Sequence, residues 1–85
     1  MKEFSYTITD ELGIHARPAG LMVKLASGYQ SKITITKDGK TADAKRILSL
    51  MILGVTKDAY ITVTVDGPDE EEGAKALEDF LKANL

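Results

Sequence analysis

His15 is the only histidine of this 85-residue chain, and it lies in the run GIHARP at residues 13–18, where a turn is predicted to become a helix. The free N–H groups and the dipole at a helix N-terminus attract anions. An imidazole nitrogen is a nucleophile that can bond to phosphorus. The planar guanidinium of Arg17 can hold two phosphate oxygens. These residue types at this spacing predict a histidine that carries a phosphoryl group.

A strand and a helix are predicted on the two sides of this run. Phe4, Tyr6 and Ile8 alternate with hydroxyl residues, as in a strand with one apolar face. From Ala16 the apolar spacing becomes helical. Gly28 is predicted to end this helix in a left-handed C-cap. His15 is therefore expected at the start of the first helix.

Two residues of this first helix need an explanation. Pro18 falls in the first turn, where its missing N–H does no harm. Gly20 lies inside the helix and should cost it about 1 kcal/mol relative to alanine. Either a close packing contact or the approach of a partner protein would account for a glycine there.

The middle of the chain predicts a hairpin followed by a short helix. Residues 32–37 alternate as a second strand, Asp38-Gly39 is a strong hairpin signal, and residues 40–43 return as a short, polar edge strand. The apolar run 47–53 is predicted to be a short helix closed by Gly54. Not all of its side chains can face the core of a thin domain, and an exposed apolar patch indicates a partner surface. The alternative is a helix wedged between sheet and loop with every side chain buried.

A fourth strand and a third helix complete the prediction. Residues 59–65 alternate between apolar residues and threonine or tyrosine. Asp69 is predicted to cap the last helix, with Glu72 as its capping-box partner. Since strands 1, 2 and 4 each have one apolar face, the fold class is α+β. We expect an open-faced β-sandwich: a four-stranded antiparallel sheet of order 1-4-2-3, covered on one face by three helices.

The composition indicates one small domain over residues 1–85. With no cysteine, there is no disulfide or thiolate metal site, and no metal site is predicted. The net charge of −2 disfavours a nucleic-acid binder. The N-terminus lacks the apolar stretch of a signal peptide, and no run approaches the roughly 18 apolar residues of a membrane span. We therefore expect a cytoplasmic protein with no membrane insertion.

Basic residues are concentrated between positions 24 and 46. This bias is compatible with docking to an acidic protein partner, or with an ordinary solvated surface. The residues concerned are Lys24, Lys32, Lys37, Lys40, Lys45 and Arg46.

The run GIHARPA at residues 13–19 resembles the active-site signature of the HPr family, the histidine-containing phosphocarrier proteins of the bacterial phosphoenolpyruvate-dependent sugar phosphotransferase system. The similarity covers essentially the whole chain. It includes the hairpin at 38–40, the apolar run ending at residue 54 and the acidic start of the last helix at 69–71.

The resemblance implies a stoichiometric carrier, not an enzyme, with no cofactor or metal of its own. His15 would accept a phosphoryl group on Nδ1 from phospho-enzyme I and donate it to EIIA components of sugar permeases, while Arg17 stabilises the phosphoryl group. A monomer is expected, and transcriptional regulators are further candidate partners. The partner surface maps onto the first two helices, at Ala16, Gly20, Lys24, Ile47, Leu48 and Met51.

One position departs from the family pattern. In many members a serine follows the lysine before the second helix and is phosphorylated by a dedicated kinase. Here Arg46 follows Lys45, so no regulatory serine is expected at this position. Ser49, one turn further on, is not at the position that the resemblance marks.

Two other functions stay open at this point. The chain could be a regulatory paralogue whose phosphorylation state is read by protein binding instead of being a step in transport. Without the resemblance, it could be a small ligand-binding or regulatory module with an incidental histidine. The sequence does not name the sugars, the host or the oligomeric state.

Overall fold

The computed structural model describes residues 1–85, which form four strands and three helices. Their order along the chain is β1 (Lys2–Thr7), α1 (Ala16–Ser27), β2 (Lys32–Lys37), β3 (Lys40–Asp43), α2 (Ile47–Ile52), β4 (Tyr60–Asp66) and α3 (Glu70–Asn84). All seven elements predicted from the sequence are present. None of the helices is long and apolar enough to cross a membrane.

The four strands form one sheet in the order β1-β4-β2-β3, and every neighbouring pair is antiparallel. Asp38 and Gly39 join β2 to β3 with φ values of 50° and 80°, as a two-residue hairpin turn of the primed type requires. The predicted fold, an open-faced sandwich with this strand order, is confirmed.

The two faces of the sheet differ as the alternating pattern predicts. Ile33 and Ile35 of β2 and Ile61 and Val63 of β4 are fully buried beneath the helices. The threonines between them are only half-buried, on the face that no helix covers. Burial of the isoleucines and valines therefore holds the three helices on a single side of the sheet.

Each helix contributes apolar side chains to one core of 18 buried residues. Ala19, Met22 and Ala26 come from α1, and Leu50 comes from α2. The contributions of α3 are Leu77 and Leu81. Helical spacing predicts Ala16, Ala19, Val23 and Ala26 on one inner face, but only Ala19 and Ala26 are buried, whereas Val23 is half-buried and Ala16 is exposed.

The predicted left-handed C-cap of α1 is wrong. Gly28 has φ −77° and ψ −7°, which is a right-handed conformation open to any residue. The N–H of Gly28 donates to the carbonyl oxygen of Leu25 at 3.1 Å, and the N–H of Tyr29 donates to that of Ala26 at 3.1 Å. The helix thus ends in a tightened last turn that needs no positive φ.

The predicted capping box of α3 is also absent. Asp69 is the N-cap residue, but its side chain makes no capping bond. Its carboxylate instead accepts hydrogen bonds from the N–H of Gln30 at 2.9 Å and from the N–H and hydroxyl of Ser31. The hydroxyl of Ser31 and the N–H of Gln30 are the main causes that lower the pKa of Asp69 below its usual 3.8. The carboxylate of Glu70, not that of Glu72, accepts a backbone hydrogen bond from the preceding turn, donated by the N–H of Gly67.

Candidate functional site

A tight turn leads into α1 and is locked against the chain that follows α2. Gly13 has φ +66°, and a Cβ atom there would lie 2.3 Å from the carbonyl oxygen of Val55. The same oxygen accepts the N–H of Ile14, a buried residue, at 3.0 Å. Only glycine fits this left-handed position so close to another backbone. The turn therefore presents the next residue at a defined place.

That next residue, His15, is the N-cap of α1. Its backbone is extended, at φ −108° and ψ −172°, and its carbonyl oxygen accepts the N–H of Ala19 at 2.9 Å. Its side chain makes no capping hydrogen bond. The half-exposed imidazole of His15 is therefore not engaged in capping its own helix.

The first turn of α1 favours an anion beside this imidazole. The first N–H of α1 that bonds within the helix is that of Ala19, which donates to the carbonyl oxygen of His15. The N–H groups of Ala16 and Arg17 therefore have no partner within the helix, and Pro18 has no N–H. The first turn contains no acidic residue. Arg17 is exposed and forms no ion pair within the chain. The helix dipole, the free amides and the cationic side chain of Arg17 thus all favour negative charge near the start of α1.

His15 lies on open surface. The structure has three concavities, and none of them is lined by His15. No group of three or more histidine, cysteine, aspartate or glutamate residues is placed to hold a metal ion. A reacting partner can therefore approach the imidazole from solvent without entering a cleft.

The residues predicted for the partner surface lie on α1 and α2, which pack against each other. A Cβ atom on Gly20 would meet only Cδ1 of Ile47, at 3.8 Å. Gly20 is half-buried, whereas Ala16 and Lys24 are exposed. On α2, Leu48 is 71% exposed, and Ile47 and Met51 are also exposed. The helix packing leaves these apolar side chains facing water, which confirms the prediction that part of the apolar run 47–53 is exposed.

Two further exposed apolar residues of α1 and α2 were not among those predicted for the partner surface. Ile52 is 82% exposed at the end of α2, and Leu21 is 42% exposed on α1. Leu50 and Leu53 are the two residues of the run that turn inward. Leu50 and Leu53 are three residues apart and share one side of the helix, so Ile52, which lies between them in sequence, points away from that side. We call the exposed apolar residues Leu21, Ile47, Leu48, Met51 and Ile52 the α1–α2 face.

Several of the basic residues serve the fold. Nζ of Lys45 donates to the carbonyl oxygen of Tyr29 at 2.7 Å, just after α1, and Nζ of Lys37 donates to that of Gly54 at 2.8 Å, just after α2. Arg46 is exposed at the N-cap of α2, with Nε 3.9 Å from a carboxylate oxygen of Asp43. The basic bias is thus partly structural, with lysines bound to carbonyls that follow helix ends.

A known protein family matches almost the whole chain. The match is to PTS-HPr, described as the PTS HPr component phosphorylation site, and it covers residues 2–83. The chain belongs to the PTS-HPr family. Membership of this family supports a role as a phosphocarrier of the phosphotransferase system.

Solved structures of similar proteins agree with this assignment. HPr from Thermoanaerobacter tengcongensis is 42% identical, with a TM-score of 0.93 over 98% of this chain and 93% of that one. Phosphocarrier protein HPr from Bacillus anthracis is 36% identical, with a TM-score of 0.88 over 94% and 95%. The catabolite repression protein Crh of Bacillus subtilis, described as a swapped dimer, is 32% identical, with a TM-score of 0.79 over 94% and 92%.

Proposed function

We propose that this family member accepts a phosphoryl group on Nδ1 of His15 from phospho-enzyme I and donates it to EIIA components of sugar permeases. The observation that supports this most is the free imidazole of His15 at the N-cap of α1, beside Arg17 and two unpaired amides. The chain acts as a stoichiometric carrier, because it offers one acceptor and an open surface instead of a closed catalytic pocket.

The transfer needs only one bond to form and one to break at phosphorus. The Nδ1 lone pair of His15 attacks the phosphorus as the N–P bond to the histidine of enzyme I breaks, and that electron pair returns to the donor nitrogen. Arg17 and the amides at the start of α1 stabilise the charge on the oxygens during transfer. Unloading repeats these changes, with His15 as the leaving group and a histidine or cysteine of EIIA as the nucleophile.

Both partners are proposed to dock on the α1–α2 face together with Ala16, Gly20 and Lys24. Four of the five apolar residues of this face lie on α2, which packs against the helix that begins just after His15. A second copy of the chain bound there would cover the surface that the partners need, so the working state is a monomer. Binding should be weak, since a carrier must leave one partner before it meets the next.

Loading of His15 is tested by incubation with phosphoenolpyruvate and enzyme I. The wild type should gain one acid-labile, base-stable phosphate per chain. The His15→Ala variant should gain none and should keep its fold by circular dichroism, because the imidazole makes no capping hydrogen bond to α1. A wild type without such a phosphate, or an unchanged yield in His15→Ala, would remove the proposal and leave an incidental histidine.

The role of Arg17 is tested with the chain's only other arginine as control. Arg17→Ala should slow loading about 100-fold, as removal of one charge-stabilising donor does in other transfer sites. Arg17→Lys should restore the rate only in part, since the planar fork is lost. Arg46→Ala, which also removes an exposed arginine, should stay within about twofold of the wild type. Equal slowing in both alanine variants would place Arg17 outside the site.

Control by a serine kinase is proposed to be absent. Arg46 occupies the position where the regulatory serine stands in many members, and its exposed guanidinium puts a cation there. Treatment with HPr kinase and ATP should give no phosphoserine. Detection of phosphate on Ser49 would contradict this proposal.

A regulatory paralogue is the second candidate function, and the similarity to the catabolite repression protein Crh favours it. The two functions differ in the fate of the phosphate once His15 is loaded. A transport carrier passes its phosphate to EIIA within a short incubation, whereas a regulatory form keeps it and binds another protein instead. Retention of the phosphate in the presence of EIIA would favour the regulatory function.

A further inference from the structure

Aspartate is followed by glycine at two places in this chain, Asp38-Gly39 and Asp66-Gly67. In such a pair the backbone nitrogen of the glycine can attack the side-chain carboxyl carbon of the aspartate, because a residue without Cβ leaves the approach open. The reaction needs a glycine N–H that is free of hydrogen bonds and a turn that can rotate. Since the two pairs are identical in residue type, a difference between them comes from the fold.

The Asp38-Gly39 pair meets both conditions. Its two residues are exposed at the tip of the hairpin, between the end of β2 and the start of β3. The N–H of Gly39 has no hydrogen-bond partner within the chain. The carboxylate of Asp38 forms no ion pair. A Cβ atom added to Gly39 would meet no atom within 4 Å, so nothing packs against the turn there.

The Asp66-Gly67 pair is held by its surroundings. The N–H of Gly67 donates to a carboxylate oxygen of Glu70 at 3.2 Å. The other oxygen of Glu70 lies 2.7 Å from the ammonium group of Met1, which fixes this carboxylate and is the main cause of its lowered pKa. Gly67 also packs closely on Ser31, whose Cα would lie 2.6 Å from an added Cβ. The attacking nitrogen is therefore occupied, although the side chain of Asp66 is exposed.

We propose that Asp38 is a site of spontaneous covalent modification, at which the aspartate cyclises onto Gly39 and reopens as isoaspartate, while the fold protects Asp66. The chemistry needs no reactant other than water. It is independent of the proposed function, because no residue of the proposed phosphoryl-transfer site takes part in it.

The conversion has two steps that together neither add nor remove atoms. The nitrogen of Gly39 bonds to Cγ of the protonated Asp38 carboxyl group, and the hydroxyl group leaves Cγ as water with the proton of that nitrogen. A water molecule then adds to the main-chain carbonyl carbon of Asp38 in the resulting succinimide. The bond from this carbon to the nitrogen breaks, and the nitrogen keeps the electron pair and takes a proton from the water. The chain now runs through Cβ and Cγ, one methylene longer.

The extra methylene lies directly beside the cross-strand pair of Lys37 and Lys40. Lys37 also connects the hairpin to the end of α2, because its Nζ donates to the carbonyl oxygen of Gly54 at 2.8 Å. The amide chemical shifts of Lys37 and Lys40 should therefore differ between the isoaspartate form and the unmodified chain. The amides of β1, at the opposite edge of the sheet, should keep their shifts.

The test is incubation of the folded chain at neutral pH and physiological temperature, followed by labelling with isoaspartyl methyltransferase and radioactive S-adenosylmethionine. Peptide mapping should place the label at residue 38, and the succinimide should appear as the loss of one water in the intact mass. Label at residue 66 should form about tenfold more slowly, because its reaction must first break the hydrogen bond to Glu70. Incubation in urea should remove most of this difference, since it unfolds both turns.

Variants test the protection of Asp66. Glu70→Ala removes the acceptor of the Gly67 N–H and should raise labelling at residue 66 about tenfold. Glu71→Ala removes a neighbouring exposed carboxylate that makes no bond to Gly67, so this matched control should leave labelling unchanged. Circular dichroism checks that both variants are folded, and the comparison of residues 38 and 66 in the wild type needs no variant.

The inference is overturned if the incubated wild type carries no label at residue 38, or if residues 38 and 66 are labelled equally in the folded chain. Unchanged labelling at residue 66 in a folded Glu70→Ala variant would overturn the protective role of the hydrogen bond. Loading of His15 by phosphoenolpyruvate and enzyme I is measured separately, so failure of either proposal leaves the other standing.

Discussion

Replacement of Gly13 by alanine tests whether the turn before α1 positions His15. The new Cβ atom would lie 2.3 Å from the carbonyl oxygen of Val55, closer than the 3.0 Å that real contacts respect. The turn must therefore move by about 0.7 Å to relieve the overlap. Such a movement stretches the 3.0 Å hydrogen bond from Ile14 to the same oxygen beyond its normal range.

Gly13→Ala should lower the free energy of unfolding for two reasons, and a control variant separates them. A non-glycine residue in the left-handed region costs about 1–2 kcal/mol. Loss of the bond from Ile14, a buried residue, adds about 1–3 kcal/mol. Gly39→Ala carries the first part alone, since Gly39 has φ +80° and no atom within 4 Å of the added Cβ. Gly13→Ala should therefore be less stable than Gly39→Ala by about 1–3 kcal/mol in urea denaturation.

The same variant should load slowly. A displacement near 1 Å at a transfer site can reduce the rate by up to about 100-fold, so loading of Gly13→Ala by phospho-enzyme I should fall by at least about tenfold. Gly39→Ala should load like the wild type, because its turn follows the end of β2 that is distant in sequence from α1 and no atom lies within 4 Å of the added Cβ. Equal stability of the two variants together with a wild-type loading rate in Gly13→Ala would refute the proposed positioning role of the turn.

The structure makes three further predictions. Leu48→Ala should weaken the binding of enzyme I about tenfold in calorimetry, whereas Tyr60→Ala, a 63% exposed residue on the open face of the sheet, should leave it unchanged; equal effects would exclude the α1–α2 face as the docking surface. Hydrogen bonds from Ser31 and Gln30 lower the pKa of Asp69 below its usual 3.8. The ionised carboxylate of Asp69 therefore stabilises the fold at pH values above 3.8, and this stabilisation is lost as the pH falls through the lowered pKa. Asp69→Asn should therefore lose less stability than the wild type in denaturation curves between pH 5 and 2, and parallel curves would contradict this. Lys45→Met should lower stability by about 1–3 kcal/mol through the lost bond to Tyr29, and an unchanged melting temperature would show that the bond contributes nothing.

Local sequence patterns were sufficient for the elements and for the placement of the histidine. The alternation in β2 and β4, the Asp38-Gly39 turn and the change to helical spacing after His15 each act over a few residues. The strand order then followed from the connections, because few topologies satisfy short loops and a hairpin. His15 and Arg17 lie at the start of α1 as the sequence predicts, and their roles in phosphoryl transfer remain proposals.

The wrong details depend on contacts distant in sequence. Asp69 looks like a capping residue locally, but the close approach of the turn at Gly67 to Ser31 brings its carboxylate to the backbone at residues 30 and 31. No pattern within one helix contains that information. Lys45 likewise binds a carbonyl 16 residues away, so its charge could not be assigned to structure or to partners from the sequence.

The carbonyl of Val55 constrains how this chain can vary. The segment between α2 and β4 is mostly exposed, and such loops usually accept insertions and deletions. Here the carbonyl oxygen of Val55 accepts the N–H of Ile14, and the N–H of Asp58 donates to the carbonyl oxygen of Ile8 at 2.8 Å. One residue added between these two hydrogen bonds would shift the backbone of Val55 that packs against Gly13, and would move the imidazole of His15 relative to α2. The loop should therefore keep a constant length among members that transfer phosphate, while the hairpin at residues 38–39, which touches neither contact, is free to lengthen.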